Sequence, residues 1–526
     1  MKDSTAVKVT LRQYKWGLFL QITIAVALFL GFSAHCKKDS TPNNTEISVR
    51  SKETAEVFES VSINNDLSDR IKQLVKDLEY PDKVAEDLTR MVMDWKDEKK
   101  RSVLIRWKVE LSNAHQDYKE RKITRNQIVK IEENILQEFF ETISMQFSYD
   151  SRAFELSDMI ENQQANCLSF SQLMYVTWNA VGLSVRPIDV LDPLISSEDG
   201  TRQGHIACIV DLFDGRSVMA DVSSLFETLS KAFNIEDHFV KVGHYWELQD
   251  KDNPLKIHKR IRLLDEKGLL ASIYDNRGNA YASKGEYDRA ILMYNKAIEN
   301  DPGEATAYFN RGVTYYDKGE YDRAILDFKK AIEIDLKFPE VYYGRGETYA
   351  DKGEYDRAIL DYTKAIEINP KYTDPYINRG YVYLYKGEYD LAIQDYTKVI
   401  EIVPGDVMAY YNRGIAFANK DEFDRAILDY DKAIEIDPEY AYAYNNRGSA
   451  YYEKDEYDRA ILDFDKAIEI DPEEAMAYLN RGEVHAEIGK SEEAKKDLLK
   501  ALELDPELRE SVKKIDEQYE LDLKFD

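Results

Sequence analysis

Cysteine is scarce in this chain: Cys36, Cys167 and Cys208 are the only three in 526 residues. So few exclude a disulfide framework. Tryptophan is scarce as well, with 5 residues against 37 tyrosines. A tyrosine bias that strong points to a repeated unit. Positive charge is outnumbered, 71 Lys and Arg against 99 Asp and Glu, for a net charge of −28. An acidic chain repels phosphate backbones, so nucleic acid is not an expected partner. Long uncharged apolar runs are confined to one place, "WGLFLQITIAVALFLGFSA" at residues 16–34. It follows Lys2, Lys8, Arg12 and Lys15. Residues 1–35 therefore read as a signal peptide or membrane anchor and are set aside from the fold. What remains is too long for one core, so at least two domains are expected. Neither a cofactor nor a metal is expected.

The apolar run ends at "SAHC", with Cys36 last. This resembles a bacterial lipoprotein signal, in which the cysteine is lipidated after cleavage. His35 and Ser33 depart from that pattern, and an uncleaved anchor stays open, since 19 apolar residues nearly span a bilayer. Either way, the expectation is an exported body held at the bacterial cell envelope. Residues 36–46 would form the polar tether.

The second half repeats itself. "NRG" or "GRG" begins at Asn276 and recurs every 34 residues to Asn480. Seven units fill residues 271–508. Their fourth position is always Tyr (Tyr274 to Tyr478), the eighth always Gly and the twentieth always Ala. Each unit splits into two amphipathic segments, broken near "NKDE" in the fifth and closed by proline in most. No single hairpin can bury its apolar face, but seven stacked ones can. These positions resemble the tetratricopeptide repeat. That resemblance implies a right-handed α-solenoid of seven helix hairpins, with residues 509–526 as a capping helix. It also implies that the first helices line a concave face. There an Asn at the sixth position can hydrogen-bond the backbone of an extended peptide. The matching residues are Asn276, Asn310, Asn378, Asn412, Asn446 and Asn480, with Gly344 interrupting them. The competing reading is that these amides simply bond neighbouring helices. Arg at position seven, Arg277 through Arg481, is expected to pair with a second-helix carboxylate such as Asp327 or Asp361.

Residues 47–265 show no period. Their first part is helical and charged, and "RNQIVKIEENILQEFFETI" sets Ile128, Ile131, Ile135, Phe139 and Ile143 on one stripe. A buried helix is expected from Cys167 to Gly182, then a strand at "SVRPIDVL" and a hairpin at "GHIACIVDLFDGRSVMADVSS" turning at Asp214-Gly215. A cysteine at a helix start, a His at a strand start and an Asp on the next strand resemble the transglutaminase-like (papain-related) superfamily. The fold class expected overall is therefore mainly α: an α+β transglutaminase-like domain followed by the solenoid. The resemblance implies Cys167 as nucleophile, His205 as its base and Asp221 as the residue orienting that base. Strand register sets a condition. A two-residue turn puts Asp221 opposite Cys208, on the other face from His205, whereas a three-residue loop with Gly215 in a bulge puts it opposite Ala207.

Two functions follow from these readings. One is a membrane-tethered scaffold whose repeats bind a protein or extended peptide. The other is a thiol enzyme acting on amides through a thioester at Cys167, with the repeats recruiting substrate.

Overall fold

The computed structural model describes residues 65–96, 102–146, 148–149, 156, 164–165, 167–190, 205–220, 237, 239–242, 245–248 and 260–523. The expected signal segment, tether and Cys36 lie outside these residues, as does Asp221. No helix among the described residues is long and apolar enough to cross a membrane.

The front domain opens with a helix over residues 65–77 and continues through α1 (Asp82–Met93), α2 (Val103–Lys119) and α3 (Arg125–Gln146). The apolar stripe of α3 is the face it buries, through Ile128, Ile135 and Phe139. These helices surround α4 (Cys167–Val181), which is buried along most of its length. Gly182, at φ +107°, ends α4 by letting Gly182 and Leu183 both donate to the Trp178 carbonyl. Six antiparallel strands follow: β1 (Ser184–Val190), β2 (His205–Asp211), β3 (Ser217–Ala220), β4 (Phe239–Val242), β5 (Tyr245–Leu248) and β6 (Arg260–Leu263). Their order in the sheet is β3-β2-β1-β6-β5-β4. One face packs on α4 through Val185, Cys208, Val210 and Val218, while Ile188, Ala207, Ile209 and Ile261 form a second apolar cluster on the other.

Seven helix hairpins run from α5 (Glu266–Ala282) to the helix Ser491–Leu504, followed by the capping helix Arg509–Tyr519. Position eight explains how closely the two helices of a hairpin approach. A Cβ on Gly278, Gly312 or Gly414 would sit 2.4, 2.8 or 2.6 Å from the ring of Tyr294, Phe328 or Tyr430. Only hydrogen fits between backbone and aromatic ring there. The alanines at position twenty, such as Ala290 and Ala494, are fully buried for the same reason. First helices of successive repeats pack on one another, and second helices approach less closely. The array therefore curves with its first helices on the inside.

The two parts are joined more tightly than the expected boundary between residues 265 and 271 implies. Helix α5 starts at Glu266, where the Asp265 side chain accepts from the Gly268 amide at 2.9 Å. Its first turns bury Leu269 and Ile273 in the front-domain core. Strand β6 then presents two arginines to the repeats. Arg260 makes a two-pronged bond to Asp335, at 2.9 and 3.3 Å, and Arg262 bonds Asp301. Side-chain exposure is only 6 % for Arg260 and 2 % for Asp335. The front domain thus covers the N-terminal end of the solenoid, as the last helix covers the other.

Candidate ligand-binding face

Positions two, six, nine and thirteen of each unit fall on one helical stripe, on the side of the first helix turned away from its own hairpin partner. Of the 28 residues at these positions, eight are Asp or Glu and none is Lys or Arg. Among the described residues, Asp317, Glu347, Asp351, Glu453, Glu483 and Glu487 form no ion pair. Glu347 and Asp351 instead accept from the hydroxyls of Tyr343 and Tyr316, both at 2.7 Å. Burial raises the Glu347 carboxyl above the usual range despite its hydrogen bonds, and the charges of Asp351 and Asp374 add to this. Glu483 is raised by burial and by Glu453 and Glu487. The face carries negative charge that the chain does not neutralise.

Between the acidic patches lies an apolar belt. Every large apolar side chain exposed on a first helix is on this stripe: Tyr381, Tyr385, Met408, Tyr442 and Met476, at 40–67 % exposure. Tyr385 packs against Tyr355, the ring centres 4.8 Å apart and the planes tilted by 47°. Beside Tyr381, the hydroxyl of fully buried Tyr396 has no hydrogen-bond partner among the described residues. The equivalent hydroxyl of Tyr294 donates to Asn279 at 2.7 Å, because Asn279 holds the ninth position that Tyr381 holds in the fourth repeat. Sequence reasoning singled out the sixth-position amides and passed over this belt. Its signal was present in the departures of Tyr381 and Tyr385 from the polar residues common at their positions.

The six asparagines are half-buried. Asn310 Nδ2 donates to Asp275 at 3.0 Å, Asn378 Nδ2 to the Tyr343 hydroxyl at 3.1 Å and Asn446 Nδ2 to the Tyr411 hydroxyl at 3.1 Å. Asn480 Nδ2 reaches Asn445 at 3.0 Å, and Asn276 bonds its own helix at the Ser272 carbonyl. These bonds cross from one first helix to the one before, except at Asn276. The donor half of the amide is thus engaged within the array at five positions, and the Asn446 oxygen also accepts, from Asn445 Nδ2 at 3.3 Å. Among the described residues Asn412 makes no such bond.

The arginines at position seven pair as their charge demands. Arg311, Arg345, Arg379, Arg413, Arg447 and Arg481 each grip an Asp sixteen residues on, Asp327 through Asp497, with two bonds of 2.7–2.9 Å. Arg379 and Arg413 also reach back to Thr363 and Thr397 on the preceding second helix. In the first repeat the matching residue is Met293, and Arg277 lies instead over the rings of front-domain Tyr80 and of Tyr274.

In the front domain, α4 begins at Cys167 and β2 at His205, with both side chains outside the described residues. The hairpin has the three-residue loop: Leu212 pairs with Arg216, and Gly215, at φ +83°, donates to the Leu212 carbonyl at 2.9 Å. The ladder runs on to Cys208 opposite Ala220. That is the register which the Asp221 role requires. The alternation of β2 points the other way. Cys208 faces α4, with Sγ 3.7 Å from the Ser171 carbonyl, whereas Ala207 and Ile209 belong to the opposite face. Position 205 is in register with that second row, since it pairs with Val190 as Ala207 pairs with Ile188. Among the described residues no group of three or more His, Cys, Asp or Glu is placed to hold a metal.

A curved stack of helix hairpins on a 34-residue period, with small residues at the crossings, defines an α-solenoid. Residues 278–508 belong to the tetratricopeptide repeat family. Family models described as TPR repeat match residues 278–319, 314–353 and 380–421, and those described as tetratricopeptide repeat match 339–372, 361–394, 407–440, 441–474 and 475–508. Among solved structures, the chain is similar to YrrB, described as a TPR protein with an unusual peptide-binding site. The identity is 29 % over 35 % of this chain and 95 % of that one, with a TM-score of 0.32. It is also similar to MamA, at 35 % identity over 32 % of this chain and 93 % of that one, TM-score 0.30. A tetratricopeptide repeat protein from Parabacteroides merdae covers 48 % of this chain and 98 % of its own length, at 21 % identity and a TM-score of 0.38. The curated proteins gave no match.

Proposed function

We propose that this chain is an envelope-tethered interaction scaffold that binds an extended segment of a protein partner along its first-helix face. What carries the reading is the stripe itself, where the large apolar side chains exposed on the first helices and unpaired carboxylates share one side of the helices. Exposure alone does not single this face out, since Leu326 and Leu360 on the second helices are as exposed; its combination of apolar side chains with carboxylates that form no ion pair does. The asparagines contribute by bracing neighbouring first helices, and their amide oxygens, that of Asn446 apart, offer acceptors to a ligand backbone. The basic n-region and apolar run support export and tethering, by lipid on Cys36 or by an uncleaved anchor. The alternation of β2 supports the scaffold over thiol chemistry at Cys167, because the row that includes position 205 is not the row facing α4.

The test is site-specific photo-crosslinking in cells. A crosslinker at Tyr385 or Tyr442 should capture a partner, and one at Leu326 or Leu360 on the second helices should not. Adducts formed only from the second helices would overturn the assignment.

A further inference from the structure

Resting on that reading of the face, we infer that its ligand is an extended peptide with Lys or Arg on both sides of a short apolar centre. Charge complementarity carries the inference. Acidic residues on the stripe lie mainly in the second and third units, such as Glu347 and Asp351, and in the sixth and seventh, such as Glu453 and Glu483. From the second unit to the sixth, the lysines nearest this face, at position fourteen, are tied off: Lys318, Lys386 and Lys420, for example, each bond the Asp of the preceding repeat, Asp288, Asp356 and Asp390, at 2.7 Å. An acidic peptide would therefore meet the six carboxylates that form no ion pair among the described residues, and no cation on the stripe. A basic one meets charge that the protein has left open.

The middle of the face selects for something else. Tyr381, Tyr385, Met408 and Tyr442 occupy the fourth to sixth units, and Met476 the start of the seventh. They form an apolar stretch bordered by acid at both ends. Tyrosine faces there serve an apolar side chain and also the edge of a neighbouring cation. The Tyr396 hydroxyl, which feels the nearby Tyr381, is buried without a partner among the described residues. A peptide carbonyl reaching it as Tyr381 moves aside would satisfy it.

The experiment is fluorescence anisotropy with the full chain in nonionic detergent. The probe is a synthetic peptide of roughly 15 residues, enough to span several repeats when extended. It has lysines at both ends and a Leu-Phe-Leu centre. Its comparators have glutamates at the ends, or serines at the centre. The lysine-ended apolar peptide should bind at least about tenfold tighter than either comparator, and should weaken as salt rises. Tyr385→Ser and Met408→Ser should each lose about tenfold for the apolar-centred peptide and little for the serine-centred one. Asp351→Asn with Glu453→Gln should flatten the salt dependence. All four positions are exposed, so matching thermal melts exclude misfolding. If the glutamate-ended peptide binds as tightly and still responds to Tyr385→Ser, the ligand class is wrong and the face stands. If no peptide responds to any first-helix substitution, while Leu326→Ser and Leu360→Ser weaken binding, both this inference and the reading beneath it fail.

Discussion

At the scale of single residues, the repeats differ where one side chain replaces another at a fixed geometry. Position fifteen takes φ near +73° at Gly285, Gly319 and Gly353, and Asp421 and Asp455 adopt φ +58° at the same place. Aspartate tolerates the left-handed region at a cost that glycine does not incur. Asp421→Gly and Asp455→Gly should each stabilise the array by about 0.5–1 kcal/mol, read as a rise in urea midpoint. Glu132 gives a pH effect. Burial pushes its carboxyl up to about 7, against the pull of the Phe213 amide donating to it. An acid raised in the folded state favours folding when protonated. Its contribution is therefore complete below the ordinary value of 4.5 and is lost as pH rises toward 7. Glu132→Gln should keep the Phe213 bond, raise the melting temperature at pH 8 and leave it nearly unchanged at pH 4.5.

At the scale of the element, the Arg–Asp pairs tie the two helices of a hairpin and, through the residue reached behind, most hairpins to the last; the third is the exception, where Lys329 stands behind Arg345. Asp429 is 5 % exposed and holds Arg413 by two bonds. Asp429→Ala should cost about 3 kcal/mol, because it strands a charge in the helix layer. Replacing both partners by leucine should cost less, which denaturant titration of single and double variants will separate. These pairs were legible in the sequence, since the Asp recurs sixteen residues after the Arg in all but the first unit. The hairpins were legible from the 34-residue period, and α4 with the β2–β3 hairpin from apolar runs bounded by glycine. The ranks of β4, β5 and β6 were not. They are four residues each, too short for alternation to show, and β6 reads "RIRL", as a surface strand would. Its arginines are buried only because the repeats bring Asp301 and Asp335 to them. The asparagine bonds were equally hidden, since an amide that braces the preceding helix and one that serves a ligand occupy the same sequence position.

At the scale of the whole molecule, the front domain and first repeats behave as one body. Arg260 and Arg262 join the sheet to the loops closing repeats one and two, and Lys337 adds a 2.9 Å bond to Glu247. Replacing both arginines by alanine should split a shared thermal transition into two, measured by calorimetry. A single transition that merely shifts would mean that the core around Leu269 and Ile273 carries the coupling. The same geometry warns against cutting the chain at residue 271, because the truncated α5 would lose Leu269 and expose Ile273, the two residues it shares with the front-domain core.

The clamp on the first two repeats gives the molecule a mechanical character. A solenoid of stacked hairpins bends like a spring, through small rotations summed over its interfaces. Here one end is gripped by the front domain and, among the described residues, the other carries a single capping helix, so repeats three to seven form a cantilever. The apolar belt lies on that compliant span. Its curvature can open or close around a guest while the grip at the base transmits the load toward the front domain.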